Sequence, residues 1–209
     1  MGFHGDLYLI DVVATAAHRC RQFIETGTNV GNTIAYFAER FPAIPCYSCE
    51  PVMDAFNAAR KRTGPLKNVN LANEPSPQFL YRLEESIKST ETLFWLDSHG
   101  AGFSWPLQDE VAFITRVCPS ACVLIDDFRV PGQAQFGFDE YDGHVCCFDY
   151  IKANFQQGRS YRLTYPGYTE KTSTFHPLRG WLLIEWGFET PLPLPSTLVG
   201  KSQTLHWCA

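Results

Sequence analysis

Short apolar runs alternate with longer amphipathic stretches along most of the chain. Seven runs predict strands: QFIET, PCYSC, NVNLA, TLFWLD, ACVLID, SYRLTY and WLLIEW. Between the first five lie stretches whose apolar residues recur at helical spacing: NTIAYFAER, DAFNAARKR, SPQFLYRLEESI and LQDEVAFITRV. This alternation is typical of βαβ units and predicts an α/β fold with a mostly parallel sheet.

The two ends of the chain differ in pattern. LYLIDVVATAAHRC predicts an N-terminal helix within residues 1–20, ahead of a domain that covers residues 21–187. The last two predicted strands lie too close together for a crossover helix of ordinary length, so we expect an antiparallel pair and a seven-stranded sheet. After Glu189 the periodicity is lost and three prolines occur, so residues 188–209 are expected to form a tail that wraps the surface or extends to a partner.

Composition narrows the class of partner. The chain has 209 residues, 45% of them apolar, which suits one well-packed core. Asp and Glu number 22 against 17 Lys and Arg, and the formal charge of −5 argues against a nucleic-acid partner. The basic run ARKRTGPLK is interpreted as a solvated helix face.

The chain also lacks signals for a membrane or an oxidising compartment. It contains no apolar run of about 18 residues and no basic leader followed by an apolar stretch, so a cytoplasmic protein without a membrane partner is expected. Its eight cysteines lie mostly in apolar segments, where reduced thiols behave as small hydrophobic groups. Cys46 and Cys49 have the spacing of metal ligands, but no matching second pair supports a zinc ribbon.

The stretch FIETGTNVGNT joins the first strand directly to a helix. In open α/β sheets, such turns lie beyond the carboxyl ends of the strands and present free backbone N–H groups to ligands. A dinucleotide fingerprint reads G-x-G-x-x-G, whereas here Glu25 precedes Gly27 and Gly31 in a G-x-x-x-G spacing. An acidic group beside the turn favours a ligand with a positive group and little phosphate.

S-adenosylmethionine has this character, because it carries an ammonium, a sulfonium and a ribose diol without phosphate. Its ribose requires a bidentate acceptor. Glu50 stands at the end of the second predicted strand, nineteen positions after Gly31, which suits that role.

On these residues the chain resembles the class I S-adenosylmethionine-dependent methyltransferases, over about residues 20–187. The resemblance implies a Rossmann-like fold with an antiparallel last strand. It also implies cofactor-binding roles, with Glu50 at the ribose and the turn around the methionine part: Glu25, Gly27, Thr28, Asn29 and Gly31.

The adenine position of that family falls in NEPSP. The family commonly has an Asp there, and Pro75 stands in its place. The resemblance therefore leaves Asn73, Glu74 and Ser76 as the candidate adenine contacts.

Three aspartates follow the fourth and fifth predicted strands. FWLDSHG supplies Asp97, and VLIDDF supplies Asp126 and Asp127. Neighbouring strands lie about 4.8 Å apart, so these carboxylates should crowd together unless protons or a cation neutralise them. Oxygen ligands suit Mg²⁺. In the alternative interpretation Asp126 caps the next segment, Asp127 faces water and only Asp97 contacts the cofactor or the acceptor.

The aspartate pattern resembles the metal-binding positions of magnesium-dependent O-methyltransferases of the catechol and macrolide-sugar types. His99, two positions beyond Asp97, is the candidate general base, because a neutral imidazole accepts a proton near neutral pH. The macrolide-sugar enzymes have an acidic residue at this position. The catechol type places a lysine one position later, where this chain has Gly100.

The segment after Asp127 is long and aromatic, so Phe136, Phe138 and Tyr141 are candidate walls of an acceptor site. Little lid material precedes the first strand, so we expect this site to be open or completed by the second subunit of a homodimer. The resulting hypothesis is a metal-assisted, S-adenosylmethionine-dependent O-methyltransferase acting on a small polar acceptor.

Two alternatives stay open. A metal-dependent hydrolase would use the same three aspartates without binding the cofactor. A non-catalytic nucleoside-binding module would keep Glu25 and Glu50 but have no metal site.

Overall fold

Most of the chain forms a single mixed sheet with helices on its faces. The computed structural model describes residues 2–100, 102–173 and 176–206. The strands are β1 (Gln22–Thr26), β2 (Cys46–Cys49), β3 (Val69–Ala72), β4 (Thr92–Leu96), β5 (Ala121–Ile125), β6 (Glu140–Tyr141), β7 (His144–Val145), β8 (Ser160–Pro166), β9 (Leu182–Trp186) and β10 (Val199–His206). Eight of them form the main sheet in the order β10-β8-β9-β5-β4-β1-β2-β3, and β6 and β7 form a separate hairpin.

The strand directions confirm the predicted α/β fold. Strands β5, β4, β1, β2 and β3 are parallel neighbours, whereas β9 runs antiparallel to both β5 and β8. Every residue of β1, β4 and β5 is buried, as expected for central parallel strands covered on both faces. The carboxyl ends of the parallel strands therefore meet along one edge of the sheet.

The C-terminal stretch, expected as a tail, contains an eighth strand of the main sheet, which corrects the expected number of seven strands. β10 pairs antiparallel with β8, with Leu205 opposite Tyr161, and an irregularity in register separates Val199 from Ser202. Its polar sequence, VGKSQTLH, gives a weak strand signal because an edge strand has one side to solvent. Residues 207–209 of the expected tail lie outside the described residues.

The helices match the sequence pattern except that one predicted helix is divided and one short helix, the last in the chain, was not predicted. They are α1 (Leu7–Ala17), α2 (Asn32–Arg40), α3 (Met53–Thr63), α4 (Ser76–Arg82), α5 (Glu84–Ser89), α6 (Leu107–Val117) and α7 (Phe148–Ile151). SPQFLYRLEESI, expected as one helix, divides into α4 and α5 at Leu83, whose backbone leaves the helical region at φ −91° and ψ 5°. The break keeps Leu80, Leu83 and Ile87 buried together.

Two further observations bear on the environment of the protein. None of the helices within the described ranges is long and apolar enough to cross a membrane. The cysteines of the same ranges are free thiols, and six of these seven are buried.

Candidate active site

The glycine turn after β1 approaches the end of β4 closely. Gly27 and Gly31 have φ values of +83° and +80°, a region that favours glycine. A Cβ atom on Gly27 would collide with the carbonyl oxygen of Asp97, and one on Gly31 would lie 3.1 Å from the Cα of Ala59 in α3. Both positions therefore require glycine, and the turn brings bare backbone beside Asp97.

Glu25 lies beneath this turn rather than in solvent. The residue is 1% exposed, and its carboxylate accepts a hydrogen bond of 2.6 Å from the Ser48 hydroxyl. Burial raises the pKa of Glu25 well above its usual range, and the Ser48 hydrogen bond opposes the rise. The Thr28 hydroxyl lies 2.5 Å from the same Ser48 oxygen, so Thr28 braces the strand end.

Glu50 is held at the end of β2 by backbone donors. One carboxylate oxygen accepts from the Asn29 N–H at 2.8 Å, and the other accepts from the Val52 N–H at 2.9 Å. The residue is 7% exposed. Glu50 thus joins the glycine turn to the loop after β2, with its orientation fixed and lone pairs left for a ligand.

Two cavities meet at Gly27. The Glu50 cavity, of about 300 Å³, is bounded by Glu50, Ser76, Phe103, Trp105 and four prolines: Pro51, Pro75, Pro77 and Pro106. The Glu25 cavity, of about 280 Å³, is bounded by Phe3, His4, Glu25, Asn29, Trp95, Asp97 and Asp126. Because Gly27 lines both, a ligand that is long and bent can occupy them together.

The three candidate adenine residues lie in different environments in the structure. Ser76 lines the Glu50 cavity. Asn73 instead donates to the backbone carbonyls of Glu50 at 2.7 Å and Pro51 at 3.1 Å, bracing the loop after β2. Glu74 forms an ion pair with Arg82, and neither Asn73 nor Glu74 lines the cavity.

Each of the three aspartates at the ends of β4 and β5 has a basic side chain as partner. His99 Nε2 lies 3.2 Å from Asp97. The other two partners are His4, whose Nε2 donates to Asp126 at 2.7 Å, and Arg179, which contacts Asp127 at 2.5 Å.

Sequence reasoning missed His4 and Arg179. His4 is 122 residues from Asp126 and Arg179 is 52 residues from Asp127, so no local pattern connects them. The neighbouring Phe3 is buried and packs edge-on against Trp95, with ring centroids 4.9 Å apart, and so holds His4 at the site.

The charged groups of the cluster alter one another's pKa values. Burial and the neighbouring Asp126 raise the pKa of Asp97 to about 7, and His99 opposes this rise. Burial works against a charged His4, but the Asp126 carboxylate outweighs it and raises the pKa of His4 to about 9. Burial and Asp126 raise the pKa of Asp127, whereas the Arg179 guanidinium lowers it.

The donor groups fit a divalent ion, but in a different grouping from the predicted one. Ligand atoms of Asp97, His99 and Asp127 lie within 4.8 Å of one another, and so do those of His4, Asp126 and Asp127. Within the described residues the donor atoms thus form two sets that share Asp127, each with a histidine, and the binding of an ion by Asp97, Asp126 and Asp127 stays a prediction. This grouping arises because Asp126 turns toward His4.

A small chamber lies between these groups. It has a volume of about 10 Å³ and is lined by Asp97, His99, Glu110, Asp126, Asp127 and Tyr141, among others. That volume is about the size of one water molecule or one ion. Glu110, in the first turn of α6, is a further carboxylate that sequence reasoning missed.

The β6–β7 hairpin supplies the outer wall of the site. The Tyr141 ring stacks on the His99 imidazole with centroids 4.2 Å apart, and its hydroxyl donates to Asp139 at 3.0 Å. Of the other candidate wall residues, Phe136 is buried against Tyr168 and Phe138 is 38% exposed. Tyr141 alone of the three candidates contacts the aspartate cluster.

No protein-family model matches the sequence, and no curated protein sequence matches it significantly. Solved structures do match. An O-methyltransferase from Bacillus cereus in complex with S-adenosylhomocysteine aligns with a TM-score of 0.57 at 12% identity, over 87% of this chain and 80% of that one. The fold is the class I methyltransferase fold.

Other solved structures that match have the same fold and different roles. An O-methyltransferase from Streptomyces achromogenes involved in tomaymycin synthesis has a TM-score of 0.54 at 16% identity, over 86% of this chain and 78% of that one. An rRNA methylase from Streptococcus thermophilus has a TM-score of 0.52 at 12% identity, over 85% and 95%. The fold is thus shared by proteins with different substrates and does not by itself assign a substrate to this chain.

Proposed function

We propose that the protein is an S-adenosylmethionine-dependent methyltransferase that methylates a hydroxyl group of a small polar acceptor. The observation that carries the proposal is the junction of two cavities at Gly27, with Glu50 in one and Glu25 in the other. The nucleoside would occupy the Glu50 cavity and the methionine part the Glu25 cavity. The sulfonium would then lie near Gly27 and Asp97.

The two glutamates have distinct roles in this arrangement. Glu50, fixed by two backbone N–H groups, accepts hydrogen bonds from the ribose diol. The ammonium of the methionine part lies among acidic groups of the Glu25 cavity, which include Glu25, Asp97 and Asp126. Positive charge on the cofactor would thereby add to the charge compensation of these acids.

The aspartate cluster is the proposed acceptor side. In the transfer, the methyl group leaves sulfur for the acceptor oxygen, and the hydroxyl proton passes to a base, for which His99 beside Asp97 is the candidate. A divalent ion on the carboxylates of Asp97 and Asp127 would lower the pKa of the acceptor hydroxyl and orient its oxygen, while His99 accepts the proton instead of binding the ion. Two of the structural neighbours are O-methyltransferases, which favours an oxygen acceptor, and the net charge of −5 disfavours RNA.

Calorimetry with S-adenosylhomocysteine tests the cofactor assignment. Glu50→Ala removes a charge-assisted contact to the ribose. The affinity of this variant for S-adenosylhomocysteine should therefore be at least about tenfold lower than that of the parent. Glu74→Ala is the matched control, because Glu74 is an acidic residue after β3 that pairs with Arg82 outside the cavity. Equal affinity of the parent and Glu50→Ala would contradict the assignment.

Thermal melting with and without Mg²⁺ or Mn²⁺ tests the metal assignment. Bound ion stabilises the folded protein, so chelator should lower the Tm and added ion should restore it. Asp97→Asn should abolish the response, whereas Asp109→Asn, a change of a more exposed acidic residue nearby in α6, should retain it. A Tm that is unchanged by both ion and chelator would contradict the metal assignment.

A further inference from the structure

A further cavity lies beside β10, apart from the two that meet at Gly27. It has a volume of about 210 Å³ and is lined by the turn at residues 130–133, by Tyr165 and Pro166 at the end of β8, and by Gln203 of β10. None of these residues lines the Glu25 cavity, the Glu50 cavity or the small chamber. A cavity of about 150 Å³ holds benzene, so this one has room for a single substituted ring.

β10 forms one wall of this cavity, at an irregularity in its pairing. Two residues of β10 lie opposite the single residue Tyr165 of β8, between the paired positions Val199 and Ser202. Such a bulge redirects side chains and interrupts the pairing locally. Gly200, within the bulge, lies close to the turn, because a Cβ atom there would be 3.3 Å from Gln133 Nε2. The cavity therefore depends on the C-terminal strand.

The hydroxyl group of Tyr165 is buried beside this cavity without a hydrogen-bond partner. The residue is 4% exposed. Burial raises the pKa of Tyr165 to about 12, so the hydroxyl keeps its proton at neutral pH. Gln203 opposes the rise but is not placed to form a hydrogen bond. Native proteins pair nearly all buried polar groups, because leaving one unpaired is costly. A ligand atom that accepts a hydrogen bond would remove this cost.

Two amide side chains line the same cavity. Gln133 Oε1 accepts from Gln135 Nε2 at 2.5 Å, which leaves the amide N–H groups of Gln133 as donors. Gln203 is exposed on β10 and supplies a carbonyl acceptor. The other lining residues are two prolines, a valine and a glycine, and none of the described lining residues is charged. These walls suit a neutral ring that carries a carbonyl group.

We propose that this cavity is a second binding site, which takes a small neutral cyclic amide. Tyr165 and Gln133 donate hydrogen bonds to the carbonyl oxygen of the ligand, and Gln203 accepts one from its N–H group. The ring carbons lie against the prolines, as apolar walls with a few polar groups are usual in small-molecule sites. The inference does not depend on the proposed function, because none of its residues belongs to the methyl-transfer site.

Protein NMR with three six-membered rings tests the proposal. The probes are 2-piperidone, which has a carbonyl and an N–H group, cyclohexanone, which has only the carbonyl, and piperidine, a cation without a carbonyl. In the parent, 2-piperidone should shift the side-chain amide signals of Gln133 and Gln203 saturably. Its Kd should be millimolar, as is usual for a ligand of about seven non-hydrogen atoms. Cyclohexanone should bind about fivefold more weakly, and piperidine should leave both signals unchanged.

Tyr165→Phe separates a ligand-binding role from a structural one. The change keeps the ring and removes only the unpaired hydroxyl, so the Tm should equal or exceed that of the parent. The affinity for 2-piperidone should nevertheless fall about fivefold or more. Tyr81→Phe is the matched control, because Tyr81 is 57% exposed on α4 and does not line the cavity. This variant should keep the parental affinity.

The outcomes decide the proposal independently of the cofactor. Saturable shifts that weaken in Tyr165→Phe, at a Tm no lower than the parental one, support the second site. A parent whose Gln133 and Gln203 signals do not respond to 2-piperidone overturns it, and so does equal affinity of the parent and Tyr165→Phe. A Tm several degrees lower in Tyr165→Phe would mean that the protein itself pairs the hydroxyl, which also overturns the proposal. Piperidine that binds as tightly as 2-piperidone would contradict a site for a neutral amide.

Discussion

The proposed cofactor half and the proposed acceptor half of the site compensate the charge of their buried carboxylates by different means. At the ends of β1 and β2, Glu50 is paired by backbone N–H groups from Asn29 and Val52, which lie 21 and 2 residues away. At the ends of β4 and β5, the carboxylates are paired by side chains, with His4 122 residues from Asp126. Backbone donors follow from the local course of the chain, whereas side-chain cations depend on the whole fold.

This difference has consequences for stability. Backbone donors stay in place when a neighbouring side chain changes, so the cofactor half should tolerate substitution better than the acceptor half. In the acceptor half, removal of one cation leaves a buried carboxylate without compensation. Variants that remove one partner at a time therefore measure how far the two halves differ.

The largest effect is expected at Arg179. Its guanidinium contacts both Asp127 and Asp139, and the Asp127 side chain is 9% exposed. Breaking a buried pair from one side typically costs about 3–5 kcal/mol. Because the Arg179 side chain is 22% exposed, we expect Arg179→Ala to lower the free energy of unfolding by about 3 kcal/mol, measured by urea denaturation.

Arg82→Ala is the matched control for this change. Arg82 also pairs with a carboxylate, that of Glu74, but its side chain is 55% exposed, and exposed pairs are worth about 1 kcal/mol or less. If both variants lose the same stability, the aspartate cluster does not depend on Arg179, and the contrast between the two halves fails.

The next effect concerns Glu110, which lies between the halves and has neither kind of partner. Burial raises the pKa of Glu110 to about 7, and the Ser76 and Thr26 hydroxyls oppose the rise. A carboxyl group whose pKa is higher in the folded protein stabilises it below the unfolded value of 4.5, and this stability is lost as the pH rises through 7.

Glu110→Gln should remove this pH dependence, because the amide does not ionise. The shift of the pKa corresponds to about 1.4 kcal/mol per unit, so the stability of the variant relative to the parent should rise by about 2 kcal/mol between pH 5 and pH 8. Urea denaturation at the two pH values measures it. A relative stability that is independent of pH would mean that Glu110 stays charged and paired in solution.

The same division into local and distant interactions explains which residues of the site could be predicted from the sequence. The glycine turn and Glu50 were predictable, because a strand, a turn and a helix in succession determine where their backbone groups point. The convergence of the aspartates was predictable for the same reason, since each directly follows a strand. Their partners were not, because pairing of Asp126 with His4 depends on where a distant segment packs.

Two other features that the sequence did not predict, β10 and the buried Glu110, also have physical explanations. β10 was missed because an edge strand shows one face to solvent and its polar composition resembles that of a loop. Glu110 was missed because an acidic residue in the first turn of a helix is common, and only its exposure of 1% distinguishes it from a solvated one. The sequence contains no sign of that burial.

The smallest effect is expected at Asn73, which the sequence suggested as an adenine contact. Its side-chain amide donates to the backbone carbonyls of Glu50 and Pro51 instead, so it braces the loop that carries Glu50, the proposed ribose acceptor. Asn73→Ala should therefore lower the free energy of unfolding by about 1 kcal/mol, the usual worth of such hydrogen bonds. Affinity for S-adenosylhomocysteine should stay within about threefold of the parental value, because Glu50 keeps its own two backbone donors. A tenfold loss of affinity with unchanged stability would restore Asn73 as a direct ligand contact and would show that the cofactor half, too, depends on side chains that the fold brings together.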